Sequence, residues 1–422
     1  MRAGRECPAS VGRVGRRRRI QVRRHAHHQR KGEVVRPAND SARAGLFQSG
    51  GLSSLAAGVW LHEMSVPMRH YIADIGQSSR TEMDALAARL RTLGDEAVVV
   101  DLRTPMAAAA ADLLRYGARH DGGYWNTTGA ARLVLVSELT PLMRADGCRT
   151  FAHGCVGGGN DQRRFARYGA QVAPELAVIE PWTDPGALER FPDRKAMLAA
   201  VVERGLPLDP GSGAERSTDA NLAGVSHESA ELEDLETPVS RLDPRWSAWP
   251  GQGPAEPETV TVRFRDGRVA DVDGSGPDPV HWMTRANTVG ARHGVWLRDV
   301  VERRIIGTVC RGVYEAPGLE VLGPAWTRIL QASLDAPGRE LYDRLAAVLG
   351  AAMYEARWLE PAAQAARAAI DRLVGDVGGS VTLSVRRGVV QVERTEVTGR
   401  VEQQTRFGSG GNRWSDVAAV RT

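Results

Sequence analysis

Lysine is nearly missing from this 422-residue chain: Lys31 and Lys195 are the only two. Arginine and alanine abound instead, a bias that reflects a GC-rich coding sequence rather than a function. Cysteine is almost as scarce. Cys7, Cys148, Cys155 and Cys310 form no CxxC pair and no disulfide-framework spacing, so reduced thiols in a cytoplasmic protein are expected. No apolar run reaches the ~18–20 residues of a bilayer span. The basic N-terminus lacks the continuous apolar stretch of a secretory signal. Gly-Lys-Ser/Thr occurs nowhere, which excludes a Walker loop.

What is present is an ordinary globular composition, 42% hydrophobic and 25% charged, in a chain long enough for two domains. The net charge of +4 misleads. Before residue 45 the only acids are Glu6, Glu33 and Asp40, against an arginine-rich leader with the run Arg16 to Arg19. The body that follows must therefore be net acidic. Residues 1–40 lack hydrophobic periodicity, and such a segment cannot bury enough surface to offset its ordering entropy, so disorder is expected. A start placed too far upstream explains the segment equally well. A nucleic-acid arm is disfavoured because no aromatic interrupts the basic run to stack on bases. His25, His27 and His28 lack the acidic or thiol partners of a metal site.

From Leu46 the texture changes. A Gly-rich turn, Ser49-Gly50-Gly51, precedes a helix over Ser54 to His62 and a short apolar stretch around Tyr71 to Ile75. Met83, Leu86, Ala87, Leu90 and Leu93 repeat at helical spacing, with Thr81 as N-cap and Gly94 as stop. Ala97 to Val100 suits a strand buried on both faces, with Asp101 near its end. Helices follow at Met106 to Tyr116 and Ala130 to Leu139. This alternation predicts an α/β domain built on a parallel sheet. The Pro/Gly/Ser-rich stretch Leu206 to Ser217 separates it from an α+β half. There, Thr259 to Phe264 and Val269 to Val272 form a hairpin around Asp266-Gly267. Pro324 to Val374 reads as long helix interrupted near Pro361, with Pro324 in the first turn. Ser380 to Val385 and Val389 to Val392 make a final hairpin.

Four elements could carry chemistry. Ser49-Gly50-Gly51-Leu52-Ser53-Ser54 joins a strand to a helix, where backbone amides attract anions. His153-Gly154-Cys155-Val156-Gly157-Gly158-Gly159-Asn160-Asp161 with Arg164 offers close backbone approach and fixed polar groups for a zwitterion. Ser217-Thr218-Asp219-Ala220-Asn221 and Ser226-His227-Glu228 bring hydroxyls and carboxylates for an ammonium, although an acidic solvated helix would look the same. Val301-Glu302-Arg303-Arg304, leading into Arg311-Gly312-Val313-Tyr314, says by itself only that an element ends in a Pro317-Gly318 turn. Cys155 lacks the partners of a nucleophile, and His153 is read as a backbone hydrogen-bonding residue. No residue is assigned as catalytic and none as a metal ligand.

Together and in this order, with Tyr124-Trp125-Asn126-Thr127-Thr128 between them, these elements resemble the argininosuccinate synthase family, in its longer bacterial branch. The likeness runs from about Leu46 to about Val392. It implies an ATP-pyrophosphatase-type nucleotide domain (41–205), a synthetase domain with an oligomerisation helix (206–392) and a tail (393–422). It also implies ATP with Mg2+, citrulline and aspartate as substrates, and a cytoplasmic homotetramer. Ser49, Gly50, Gly51, Ser53 and Ser54 would hold phosphates, with Ala73, Gly154 and Val156 near the nucleotide. Tyr124, Arg164, Ser217, Asp219, Ser226, Glu228, Glu302 and Tyr314 would surround citrulline. Asn160 and Asp161 would meet aspartate, Asn160 touching both amino acids.

The chain departs from the family at the nucleotide end. The signature turn continues Asp-Thr-Ser, where this chain has Ser53-Ser54-Leu55. A Thr is expected at Val156 and a Lys at Gly158. Charge-assisted hydrogen bonds are worth roughly 1.5–3 kcal/mol each. Losing several in the transition state would remove decades of rate, since ~1.4 kcal/mol is tenfold. Two other readings therefore stay open: a paralogue ligating another ureido or amino substrate, and a non-catalytic ligand-binding homologue.

Overall fold

A computed structural model describes residues 43–156, 158–208 and 216–398. The expected disordered leader, part of the interdomain stretch and most of the tail lie outside the described residues. The first half alternates strand and helix. It runs β1 (Arg43–Gln48), α1 (Leu52–Glu63), β2 (Met68–Asp74), α2 (Arg80–Thr92), β3 (Glu96–Asp101), α3 (Arg103–Arg115), α4 (Thr127–Ala145), β4 (Cys148–His153), α5 (Asn160–Val172), β5 (Ala177–Ile179), α6 (Pro185–Arg190) and α7 (Arg194–Glu203). The strands form one parallel sheet ordered β3-β2-β1-β4-β5.

Side-chain alternation explains the layers. Phe47, Tyr71, Ala73 and Phe151 point to one face and pack with α3, α4 and α5. Ile72 and Ala97 point to the other, where they meet Leu55 and Val59 of α1, Met83, Leu86 and Leu90 of α2, and Met197 and Val201 of α7. β1 is the sheet's centre. Gly45 lets Met143 pack closely on that strand: a Cβ would lie 2.6 Å from Met143 Sδ and push that side chain aside. Ala44, Leu46 and Phe47 are all buried.

Several local expectations need correction. β3 is an edge strand, not one buried on both faces: of its residues only Ala97 is fully buried. The α2 N-cap is Ser79, not Thr81. Ser79 accepts from the Glu82 amide while the Glu82 side chain accepts from Ser79, the reciprocal capping box that Ser79-Arg80-Thr81-Glu82 encodes. Gly94 does end this helix, at φ +90°.

The second half contains β6 (Arg216–Asn221), β7 (Gly224–Ser229), α8 (Ala230–Glu233), β8 (Glu258–Arg265), β9 (Arg268–Val272), α9 (Pro279–Arg292), β10 (Leu297–Arg303), β11 (Val309–Glu315), α10 (Pro317–Ser333), α11 (Ala336–Tyr354), α12 (Pro361–Val374), β12 (Gly378–Arg386) and β13 (Val389–Thr398). Two antiparallel sheets result, β10-β11-β7-β6 and β13-β12-β8-β9. Both expected hairpins are present. The acid-rich Ser226-His227-Glu228 is strand rather than solvated helix, because it pairs with both β6 and β11. Pro317-Gly318 opens α10 instead of making a turn, and Pro324 sits inside that helix. The expected long helix is thus three, broken before Ala336 and again before Pro361. Among the described residues, no helix is long and apolar enough to cross a membrane.

Candidate active site

In the parallel sheet β2 and β4 lie on opposite sides of β1, so the winding reverses there, and ligands of such sheets bind beyond the carboxyl ends at that point. A cavity of about 560 Å3 occupies this position. One wall carries Ser49, Gly51, Ser53, Ser54, Ala73, Tyr124, Gly154, Val156, Asn160, Asp161 and Arg164; the other carries Asp219, Ser226, Glu228, Glu302 and Tyr314. Segments far apart in sequence thus converge. Gly50 lies in the same turn, just behind the lining. Ser217 lies on β6 opposite Glu228, and its side chain falls outside the described residues.

The turn after β1 is held by its own side chains. Gly50 has φ +78°, which only glycine adopts at little cost. Its amide donates to Gln48 Oε1 at 3.0 Å, and the Gly51 amide to Ser49 Oγ at 3.3 Å. Ser54 Oγ lies 2.5 Å from Gln48 Oε1 and 2.9 Å from Ser49 Oγ. α1 has no side-chain cap, so the amides of Leu52 and Ser53 open the helix without intrahelical acceptors. The loop after β4 rests on this helix end: a Cβ on Gly154 would stand 2.4 Å from Ser54 Cα. His153 does bond backbone, its Nδ1 accepting from the Cys155 amide at 3.3 Å. Burial pushes the Cys155 thiol up, which leaves it a poor nucleophile at neutral pH. Val156 is 53% exposed and presents an isopropyl group to the cavity.

At the other end, charge dominates. Arg132 Nη2 lies 2.8 Å from Asp161 and 2.5 Å from Asp219, joining α4 to α5 and β6, while Arg164 Nη1 holds the other Asp161 oxygen at 2.8 Å. Burial works to raise the Asp161 pKa, but the two guanidinium groups outweigh it and hold the carboxyl at about 2. Asp219 goes the other way: burial and the neighbouring Asp161 push it up, and Arg132 only partly offsets them. Glu228 is likewise pushed up, by burial first and then by Asp161 and Asp219. Glu302 is 3% exposed. Its Oε1 accepts from Tyr354 Oη at 2.7 Å, while its buried Oε2 has no hydrogen-bond partner among the described residues. Tyr124 and Tyr314 stack beside it with centroids 3.7 Å apart. Asn160 is engaged on both sides, donating to Tyr354 Oη and accepting from the Ile305 amide, each at 2.9 Å.

An unpartnered buried carboxylate oxygen in the cavity that Glu228 also lines suits a cationic group, because leaving it unpaired is costly and an ammonium satisfies it. Helix-terminal amides without a side-chain cap at the opposite end suit an anion. Sequence reasoning missed three residues here. Arg132 was legible as the i+4 neighbour of Thr128 on one helix face. Gln48 was legible as a polar residue ending an apolar strand. Tyr354, about 190 positions from Asn160, left no signal.

Residues 43–207 match the model of the arginosuccinate synthase N-terminal HUP domain. Residues 216–404 match that of the arginosuccinate synthase C-terminal domain. A crystal structure of a predicted subunit of tRNA methyltransferase from Methanocaldococcus jannaschii is 13% identical, over 33% of this chain and 67% of that one, with a TM-score of 0.23. That likeness carries no argument. Both halves of the chain are matched in order and both contribute a wall of the cavity, so the chain belongs to the argininosuccinate synthase family.

Proposed function

We propose that this chain is an argininosuccinate synthase, joining citrulline and aspartate with ATP. The ureido oxygen of citrulline attacks the α-phosphorus and pyrophosphate leaves, giving citrullyl-adenylate. The aspartate amine then attacks the activated carbon and AMP leaves. The supporting observation is the single cavity with an anion-attracting helix end at one pole and unpaired carboxylates at the other.

In this reading Glu228 and Glu302 accept the citrulline ammonium, and the N–H groups of Arg164 not engaged with Asp161 and Tyr354 meet its carboxylate. The α1 amides would hold the phosphates close to the ureido group, which is catalysis by positioning and charge stabilisation. Among the described residues no three His, Cys, Asp or Glu cluster as a metal site. Mg2+ would therefore enter on the phosphates, and no step is assigned to it. Asn160 must give up its Tyr354 or Ile305 bond to reach a substrate. A homotetramer built through the C-terminal helical segment, a cytoplasmic location and a domain division near residue 206 belong to the same proposal; β13 extends the second domain past residue 392 to Thr398.

A second reading has its own support. Ser53, Val156 and Gly158 leave the nucleotide end without a carboxylate on the turn or a hydroxyl and lysine on the loop, which favours a homologue that binds citrulline without activating it. Pyrophosphate release by the full chain with ATP, Mg2+ and citrulline, with and without aspartate, separates the two. Citrulline-dependent release, with argininosuccinate formed once aspartate is added, supports the synthase. Citrulline binding without any release supports the binding homologue.

A further inference from the structure

The side chain that closes the phosphate turn lies outside it. Gln48 is the last residue of β1 and is 2% exposed. Its orientation is fixed by a backbone donor: the Gly50 amide can bond only to the carboxamide oxygen, so Oε1 faces the turn and Nε2 faces away. Nε2 then donates to the Ser54 carbonyl at 3.2 Å and faces His70 Nδ1 at 3.4 Å. His70 Nε2 in turn lies 3.5 Å from Asp95 Oδ2. Oε1 also lies 2.5 Å from the Ser54 hydroxyl, which can donate instead to the Gly51 carbonyl at 2.9 Å and whose oxygen faces Ser49 Oγ, the acceptor for the Gly51 amide. The result is a ring of hydrogen bonds in which Gly50 N, Gly51 N, Ser49 Oγ and Ser54 Oγ all turn inward, toward one another and toward Gln48.

A polyphosphate seated on this turn wants those same donors. Each is already satisfied by a neutral acceptor, so binding gains only the difference between a phosphate oxygen and the bond it replaces. The α1 amides of Leu52 and Ser53 are the turn donors free of this competition. From this geometry we propose that Gln48 is a positioning residue that latches the phosphate turn shut and sets nucleotide affinity by competing with the phosphates for Gly50 N and the Ser54 hydroxyl. This rests on the ATP-binding reading above. The carboxamide must swing away from Gly50 before the phosphates seat fully, and the latch therefore lowers ATP and pyrophosphate affinity without touching the carboxylate-lined pole.

The test is calorimetric titration of ATP, inorganic pyrophosphate and citrulline into the full chain and two variants. Gln48→Met keeps the length and removes both hydrogen-bonding groups. It is expected to bind ATP and pyrophosphate about tenfold more tightly, one ordinary hydrogen bond of competition removed. Gln48→Glu places a charged, stronger acceptor on the same donors and is expected to weaken both at least tenfold. Citrulline affinity should stay within about twofold in each. Tightening is a readout that structural damage does not produce. If Gln48→Met binds ATP no tighter than the parent while citrulline binding persists, the latch is refuted. If Gln48→Met loses citrulline as well, the decision falls to Gln48→Glu, and unchanged ATP affinity there refutes it. If parent and variants all bind citrulline but neither ATP nor pyrophosphate, the ATP reading itself fails and the latch with it.

Discussion

The two poles of the cavity are built by different means. At the carboxylate-lined pole, Asp161, Asp219, Glu228, Glu302, Arg132 and Arg164 come from five elements, and the excess of acid leaves Glu228 without an ion pair and Glu302 Oε2 unpartnered among the described residues. At the turn pole, the side chains of Gln48, Ser49 and Ser54 and the amides of Gly50 and Gly51 are neutral and mutually satisfied, which leaves the α1 amides of Leu52 and Ser53 for a ligand. One pole is left waiting for a ligand's charge; the other has closed on itself. One fold thus does not keep both halves of a site equally ready, because each pole's readiness depends on whether its polar groups already have partners.

The comparison breaks first at Arg132. Arg132→Met strands Asp219 in a cavity wall and leaves Asp161 with Arg164 alone, and unfolding by urea should show a loss of about 3 kcal/mol, the low end for breaking a buried ion pair. A loss under about 1 kcal/mol would mean that Asp161 and Asp219 are solvated and the charged pole is not held by this residue. Next comes Glu302→Gln, which keeps the acceptor for Tyr354 but turns the unpartnered oxygen into a donor. Citrulline affinity should fall about thirtyfold with ATP affinity unmoved, since a charged hydrogen bond is worth ~2 kcal/mol. Unchanged citrulline binding would remove Glu302 from the ammonium site.

The turn pole is sharpened by restoration. Ser53→Asp with Val156→Thr should raise the rate of citrulline-dependent pyrophosphate release about tenfold or more over the parent chain. No gain would show that these two positions do not limit the chemistry. The smallest effect is in pH. Glu228 has a raised pKa, and an ammonium binds its ionised form, so citrulline affinity is full above that pKa and declines as pH falls through it, by at most tenfold per unit. The decline should begin above the ~4.3 of an ordinary Glu and vanish in Glu228→Gln. A flat profile in the parent chain would contradict this role. Asp161, held at about 2, does not titrate in that window and contributes stability that is lost only as pH falls from ~4 through about 2.

Much of this was legible in the chain itself. The parallel sheet followed from alternating strand and helix patterns, and the hairpins at Asp266-Gly267 and Arg387-Gly388 from turn chemistry. Where expectation failed, a tertiary neighbour had changed the meaning of a local signal. Ala97 to Val100 is apolar, yet β3 has no strand beyond it. Pro324 stays inside a helix because the packed residues around it, Leu319, Leu322 and Trp326, hold α10 in the core. Ser226 to Glu228 left a solvated helix open as the alternative to an ammonium site, and the pairing of β7 with β6 and β11 closes it.

By itself the sequence determined which residues gather and in what order along the chain, since periodicity, turns and spaced polar motifs are local properties carried by each segment. Partnership was decided only by tertiary structure. Tyr354 reaches Glu302 and Asn160, and Arg132 bridges Asp161 and Asp219, because hydrogen bonds and ion pairs depend on distances of about 3 Å between atoms that the chain separates by tens to hundreds of residues.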